Sequence, residues 1–149
     1  MKVGKNVKIW HFAYVGDDVE IGDNCMIAPT VHVDPDVKIG DNTRIQANSV
    51  ISKLTRIGNN VFIGPSVTMT NDPYPMSDRL AGITIKDNAV IGANATLMAG
   101  ITIGQGSVVA MGAVVTRDVP DGVVVMGSPA TIRHTREEYE KKRKAWMEG

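Results

Sequence analysis

The chain has 149 residues and equal numbers of basic and acidic side chains, 16 of each, so no net field draws it toward nucleic acid or an anionic membrane. A single cysteine, Cys25, excludes an internal disulfide framework and fits a reducing compartment, while the opening MKVGKNVKIW lacks the apolar stretch of a signal peptide. Aromatic residues are only 5% of the chain, with glycine and β-branched residues plentiful, which suits one soluble, cytoplasmic domain of stacked small repeats.

From the start of the chain an aliphatic residue recurs every six positions: Val3, Ile9, Val15, Ile21, Ile27, Val33, Ile39, Ile45, Ile51, Ile57 and Ile63, ending at Met69. Four residues after each stands a small or β-branched residue, as at Val7, Ala13, Val19, Cys25, Val31, Thr43 and Ser49. A period of six fits neither a helix nor a long alternating strand. It fits a short strand and a tight turn, repeated, as in hexapeptide β-helices. The large aliphatic and the small residue both face inward, and the Gly, Asn and Asp of segments such as GDN and GNN supply the turns. The spacing predicts an all-β fold of about six triangular coils, stacked as parallel strands ~4.8 Å apart. Cys25 falls on one of the small inward positions and reads as structural.

The beat fails between Met69 and Ile85, 16 positions apart where six would serve, in the stretch MTNDPYPMSDRLAGIT. A β-helix tolerates such an insertion only where it can leave the wall at a corner. The loop over 70–84 is therefore expected to protrude. Pro73 and Pro75 stiffen it, and Asn71, Asp72, Tyr74, Ser77, Asp78 and Arg79 give it polar reach. The beat then resumes through Ile85, Ile91, Leu97, Ile103, Val109 and Val115. Residues 1–130 form the β-helix on this reading, and 131–149 a charged tail. In that tail Thr135 followed by Glu138 is a capping-box signature, which predicts a helix from about Arg136 to Trp146 that caps the open end of the prism or braces a neighbouring subunit.

The hexads, the loop and the closing TRDVPDGVVVMGSPA together resemble the left-handed β-helix acyltransferases that use acyl-coenzyme A. The stretches IWHF (Ile9–Phe12), RIQANS (Arg44–Ser49) and FIGPSVTMTNDPYP (Phe62–Pro75) are similar to those of nucleotide-linked amino-sugar N-acetyltransferases, and above all to enzymes acting on a 3-amino group of UDP- or dTDP-linked sugars. The chain departs from that pattern at Met76, where an arginine is more usual; Arg79 is the nearby candidate to stand in for it. The resemblance implies a left-handed prism, a homotrimer with sites in the grooves between subunits, acetyl-CoA as co-substrate and a role in surface-glycan synthesis. It also implies that the loop forms the acceptor-facing wall of the site.

The chemistry agrees. A sugar hydroxyl needs a positioned general base, and the loop has no histidine; a sugar amine is already partly the free base and can attack a thioester unaided. The resemblance makes Asn71 the orienting residue, with Asp72 binding a sugar hydroxyl or the ammonium form, or else capping a turn. A backbone N–H would stabilise the oxyanion, Ala93 matching the family position. Coenzyme A lying along the groove would meet positions 18 apart, the pairs Gly92 with Ala110 and Ala93 with Met111, while Arg117, Arg133 and Arg136 are candidates for its phosphates. Trp10 and His11, with Gln46 and Asn48 above them, are candidates to contact the nucleotide or sugar, as are Tyr74 and Arg79 on the loop. His32 and His134 read as structural, and no close histidine pair suggests a metal. An O-acetyltransferase using His11 or His32 from a neighbouring chain as base and a non-catalytic scaffold are the alternatives.

Overall fold

The computed structural model describes residues 1–149 as a left-handed parallel β-helix with three walls. The first wall stacks the strands Lys2–Val3, Glu20–Ile21, Lys38–Ile39, Arg56–Ile57, Thr84–Ile85 and Thr102–Ile103. The second stacks Lys8–Ile9, Met26–Ile27, Arg44–Ile45, Phe62–Ile63, Val90–Ile91 and Val108–Val109, then adds Val123–Met126 and Thr131–Thr135. The third stacks Tyr14–Val15, His32–Val33, Val50–Ile51, Thr68–Met69, Thr96–Leu97 and Val114–Val115. Every strand of the six full coils has two residues, because a hexad leaves four for the corner.

Register follows the repeat. Lys8 pairs with Met26 and Met26 with Arg44, one coil apart each time. Across the loop the step lengthens, and Arg56 pairs with Thr84, yet the same face still points inward. The inward Ile27, Ile45, Ile63 and Ile91 are wholly buried, forming a core of stacked aliphatic rungs. The first coil has no coil beneath it, so its inward Val3 and Ile9 are 45% and 41% exposed. Small hydroxyls at the inward corner position are buried but satisfied: Thr43 donates to the Gly58 carbonyl at 3.0 Å and Ser49 to that of Gly64 at 2.9 Å. Cys25 sits at the same position, donates to the Gly40 carbonyl, and has its thiol pKa pushed up by burial. That is the structural role expected of it.

Each corner needs one residue with positive φ, and along the edge between the first and second walls Asn supplies it at Asn6, Asn24, Asn42, Asn60 and Asn88. The same edge is stapled by acidic and amide side chains. Asp23 accepts from the Lys5 N–H at 2.7 Å, Asp41 from Asp23 at 2.8 Å, and Asn59 from Asp41 at 2.7 Å.

The last part of the chain departs from the six-beat in a way the periodicity did not foretell. Val119 makes an isolated bridge to Ile103, and Val123–Met126 continues the second wall. Thr131–Thr135 then turns back antiparallel to it. The helix Arg136–Glu148 follows with the expected capping box: Thr135 Oγ1 accepts from the Glu138 N–H, and the Glu138 carboxylate accepts from the Thr135 N–H at 2.8 Å. The helix does not close the end of the prism. Arg136 donates to the carbonyls of Asn88 at 3.0 Å and Gly106 at 3.1 Å, which moors the helix against the outer face of the second wall. No helix is long and apolar enough to cross a membrane.

Candidate active site

Stacking turns each edge of the prism into a column. On the edge between the second and third walls the column reads Trp10–His11, Ala28–Pro29, Gln46–Ala47, Gly64–Pro65, Gly92–Ala93 and Ala110–Met111 from the first coil upward. Eight of the residues singled out in the sequence therefore share one edge: Trp10, His11, Gln46, Asn48, Gly92, Ala93, Ala110 and Met111. Trp10 is half-exposed and His11 exposed, with its ring 6.4 Å from that of Phe12. Asn48 is partly engaged, its amide oxygen accepting from Thr30 Oγ1 of the coil below.

This edge differs chemically from the stapled one. The N–H groups of Lys5, Asp23, Asp41 and Asn59 on the first edge all donate to a side chain one coil above. Their equivalents here, those of His11, Ala47, Ala93 and Met111, donate to no protein acceptor. Backbone donors left open and half-exposed on a rigid edge are available to a ligand oxygen. The positive-φ position also changes, with Phe12, Thr30 and Ser66 standing where the first edge keeps Asn. Phe12 is 90% exposed, so packing does not offset this strained conformation.

Beside the upper part of this column lies a groove of about 550 Å³. Its floor is the outer face of the second wall at Phe62, Val90, Val108 and Val124; its edge is Gly92, Ala93, Ala110 and Met111; its far side is Tyr139 and Lys142 of the helix, with His134 from the last strand. The groove is mostly apolar. Tyr139 and Lys142 were not identified from sequence, although their spacing of three places them on one face of the predicted helix.

Two arginines expected at this groove are elsewhere. Strand alternation turns Arg133 to the side opposite His134, where its Nε donates to Thr131 Oγ1 at 3.3 Å. Arg117 lies beyond the last full coil and lines a separate groove with Asp118, Pro120 and Ile132. Arg136 is engaged by Glu140, at 2.8 Å, and by the two carbonyls that moor the helix. Lys142 is the cationic side chain that lines the apolar groove.

The loop leaves from a different edge, the one between the third and first walls. Its base is closed by the Ala81 N–H donating to the Asn71 carbonyl at 2.8 Å. Asp72 organises the interior: one carboxylate oxygen accepts from the Tyr74 N–H and Ser77 Oγ, both at 2.9 Å, and the other from the Ser77 N–H at 2.8 Å. These bonds, the Ser77 N–H first among them, hold the carboxyl below its ordinary pKa. Asp72 is thus committed to the loop's shape, the turn-capping alternative, and has little left for a substrate. The Asn71 side chain has no protein partner and is half-buried at the loop root. Tyr74 and Arg79 are exposed on the outer side.

Within one chain the two groups of candidate residues therefore stay apart. The loop residues Asn71, Tyr74 and Arg79 and the column carrying Gly92 and Ala93 are separated by the full width of the third wall. His32, taken from sequence as structural, stands on that wall with its ring outward, 3.0 Å from Asp34.

Comparison with known proteins gives two matching repeat models. A bacterial transferase hexapeptide model matches residues 1–34 and 25–53, and a succinyl-transferase hexapeptide model matches 82–117. A hexapeptide-repeat-containing acetyltransferase of Vibrio cholerae is 32% identical, with 83% of this chain and 73% of that one covered and a TM-score of 0.68. The GDP-perosamine N-acetyltransferase of Caulobacter crescentus, solved as a histidine-to-alanine mutant with CoA and GDP-perosamine, is 30% identical with a TM-score of 0.76, over 85% of this chain and 56% of that one. A 2,3,4,5-tetrahydropyridine-2,6-dicarboxylate N-acetyltransferase of Staphylococcus carnosus is 52% identical over 62 residues, 41% of this chain and 26% of that protein. The chain spans about half or less of the length of the curated relatives it matches.

Proposed function

The chain belongs to the hexapeptide-repeat acetyltransferase family, and from that premise we propose that it transfers an acetyl group from acetyl-CoA to the amino group of a nucleotide-linked amino sugar. The observation that carries the reading is the open N–H of Ala93, on a column of small residues beside an apolar groove. A pantetheine arm is a thin, mostly apolar chain that needs close backbone approach. The Gly92–Ala110 and Ala93–Met111 steps allow that approach, Tyr139 closes the far side, and Lys142 offers charge to a phosphate. With the thioester at this edge, the Ala93 N–H is a donor for the oxyanion that forms when the acceptor attacks.

The acceptor side belongs to the loop. Asn71 has a free amide to orient the attacking nitrogen, and Tyr74 and Arg79 face outward to meet the sugar or its diphosphate. Because loop and column lie on different edges, the complete site is a cleft between two copies, which supports a homotrimer closed about a three-fold axis. Trp10 and His11, exposed at the foot of the column, are suited to the nucleotide. The UDP- or dTDP-linked 3-amino sugars are the proposed acceptors, and the product would feed cytoplasmic assembly of a surface glycan. A hydroxyl acceptor is the second reading, favoured by one observation, the His32–Asp34 pair.

Thiol release from acetyl-CoA tests this, measured with purified protein against UDP- and dTDP-linked 3-amino sugars, 4-amino sugars and their hydroxyl counterparts. Release that depends on an amine supports the proposal. Release with hydroxyl acceptors alone overturns the acceptor class, and silence with no thermal stabilisation by CoA overturns the activity.

A further inference from the structure

Between the Ala93 rung and the foot of the prism, the hydrogen-bond donors of this edge gather in one coil. The second and fourth coils place Ala28–Pro29 and Gly64–Pro65 there, with no polar side chain and, at proline, no N–H. The third coil places Gln46–Ala47. The Ala47 N–H meets no protein acceptor, and the Gln46 amide has no protein partner either. Asn48 has its oxygen taken by Thr30, which leaves its nitrogen to donate. The same coil carries Arg44 on the second wall, directly beneath Phe62, where the floor of the apolar groove begins.

Arg44 is exposed, and its guanidinium makes no hydrogen bond or ion pair within the chain. Other arginines are held: Arg56 by Asp36 at 3.2 Å, Arg136 by Glu140 at 2.8 Å. No carboxylate stands on the outer face of the second wall or on this edge in any of the six full coils. Asp41, at the far end of the Arg44 rung, is spent on the Asp23 N–H. A cation and several free donors with no acceptor among them suit an anion rich in oxygen. The rung lies two coils below Ala93, about 10 Å at the spacing of parallel strands. A hexose ring and its glycosidic oxygen take up most of that drop, and the arginine side chain reaches across the rest. A three-fold axis along the prism keeps heights equal between copies. The loop-bearing corner of a neighbouring copy would then bring its exposed Lys53 alongside at nearly the same level.

We infer that the third coil binds the diphosphate of the acceptor through Arg44, Gln46 and the Ala47 N–H, an inference that rests on the function proposed above. The sugar then lies against the fourth coil, with its amine at the height of Ala93. The nucleoside continues down toward Trp10 and His11, two coils further on. Because the Pro65 rung offers no donor, nothing holds the anion closer to the thioester. The anchor therefore sets how far the sugar reaches, and the rigid stack of coils fixes that distance.

Titration calorimetry with UDP, dTDP and GDP tests this on the unmodified protein and on Arg44→Ala, Arg44→Lys and Gln46→Ala. Arg44→Ala is expected to weaken the diphosphate that binds best about 10–100-fold, the loss of a charge-assisted contact. It should also flatten the dependence of that affinity on salt, since one charge has gone. Arg44→Lys should fall between, keeping the charge and losing the planar fork. CoA affinity and the melting temperature should not move, because Arg44 holds nothing within the chain. In the thiol-release assay Arg44→Ala should raise KM for the nucleotide-linked acceptor far more than it lowers kcat. Diphosphate affinity within twofold in both Arg44→Ala and Gln46→Ala overturns the inference while the function stands. So does an unmodified protein that acetylates amines but binds none of the three diphosphates. A protein that binds a diphosphate through Arg44 yet transfers acetyl to no acceptor overturns the function and leaves the site.

Discussion

Gly92 and Met111 occupy successive coils of one edge, and a β-carbon on Gly92 would strike the backbone nitrogen and carbons of the Ala110–Met111 step. The edge is therefore built at backbone-to-backbone separation, and a ligand running along it meets main chain before side chain.

Gly92→Ala is expected to force that step apart. An overpacked methyl typically costs about 1–3 kcal/mol. The urea midpoint should fall, and CoA affinity should fall with it, since the displaced Met111 lines the groove. A variant with normal stability and normal CoA binding would show that the edge gives way elsewhere.

Asn71→Ala should act on rate and leave the coenzyme alone. The residue lies across the third wall from Gly92 and Ala93, so calorimetric CoA affinity should not change. Loss of the orienting amide is expected to cost about 10²-fold in kcat/KM for the amino sugar. Weakened CoA binding would contradict the separation of the two half-sites.

Lys142→Ala is expected to weaken CoA about tenfold, the loss of one charge-assisted contact. Arg117→Ala and Arg133→Ala should bind as the unmodified protein does, since neither lines the groove. Titration calorimetry of the three variants separates the arrangement seen here from the one the sequence suggested.

Asp72 makes the order of the loop depend on pH. Its folded pKa is depressed, so the order it confers is fully present above the ordinary value and is lost as pH falls through the lowered one. Hydrogen exchange at Tyr74 and Ser77 should stay slow at mildly acidic pH and speed up only in strong acid. Asp72→Asn should bring the fast exchange to neutral pH, because an amide cannot accept all three bonds, and should leave the melting temperature of the prism unchanged.

Thr135→Ala removes the N-cap and should cost the helix about 0.5–2 kcal/mol of local stability. Far-UV circular dichroism should show the helix melting ahead of the β-helix. CoA should bind more weakly to that variant, because Tyr139 and Lys142 form one side of the groove.

The three-walled prism was legible because a six-residue period admits few other solutions, and the helix because its capping box is local chemistry. The column of Gly92, Ala93, Ala110 and Met111 could be read from the spacing of 18, since stacking converts sequence distance directly into position. The misses have a common cause in contacts that no periodicity encodes. Arg133 and His134 are neighbours, and only the antiparallel turn at Thr131–Thr135 decides which one faces the groove. Asp72 and Asn71 are equally polar on the page, and the fold of the loop alone separates the engaged carboxylate from the free amide.

The loop departs at Met69 and rejoins at Ile85 without disturbing the pairing of Phe62 with Val90 or Thr68 with Thr96. Such a chain can be lengthened or shortened only in certain denominations. Excising a whole coil would lower the prism by one storey and leave every residue above on its own face. Excising a single hexad would turn everything above it by a third of a revolution, sending the Ala93 column to the edge that now carries the Asp and Asn staples. Extra residues at a corner shift nothing. On the proposed function, new acceptor specificities can therefore arise by rewriting the loop, while the face proposed to meet the coenzyme is inherited intact.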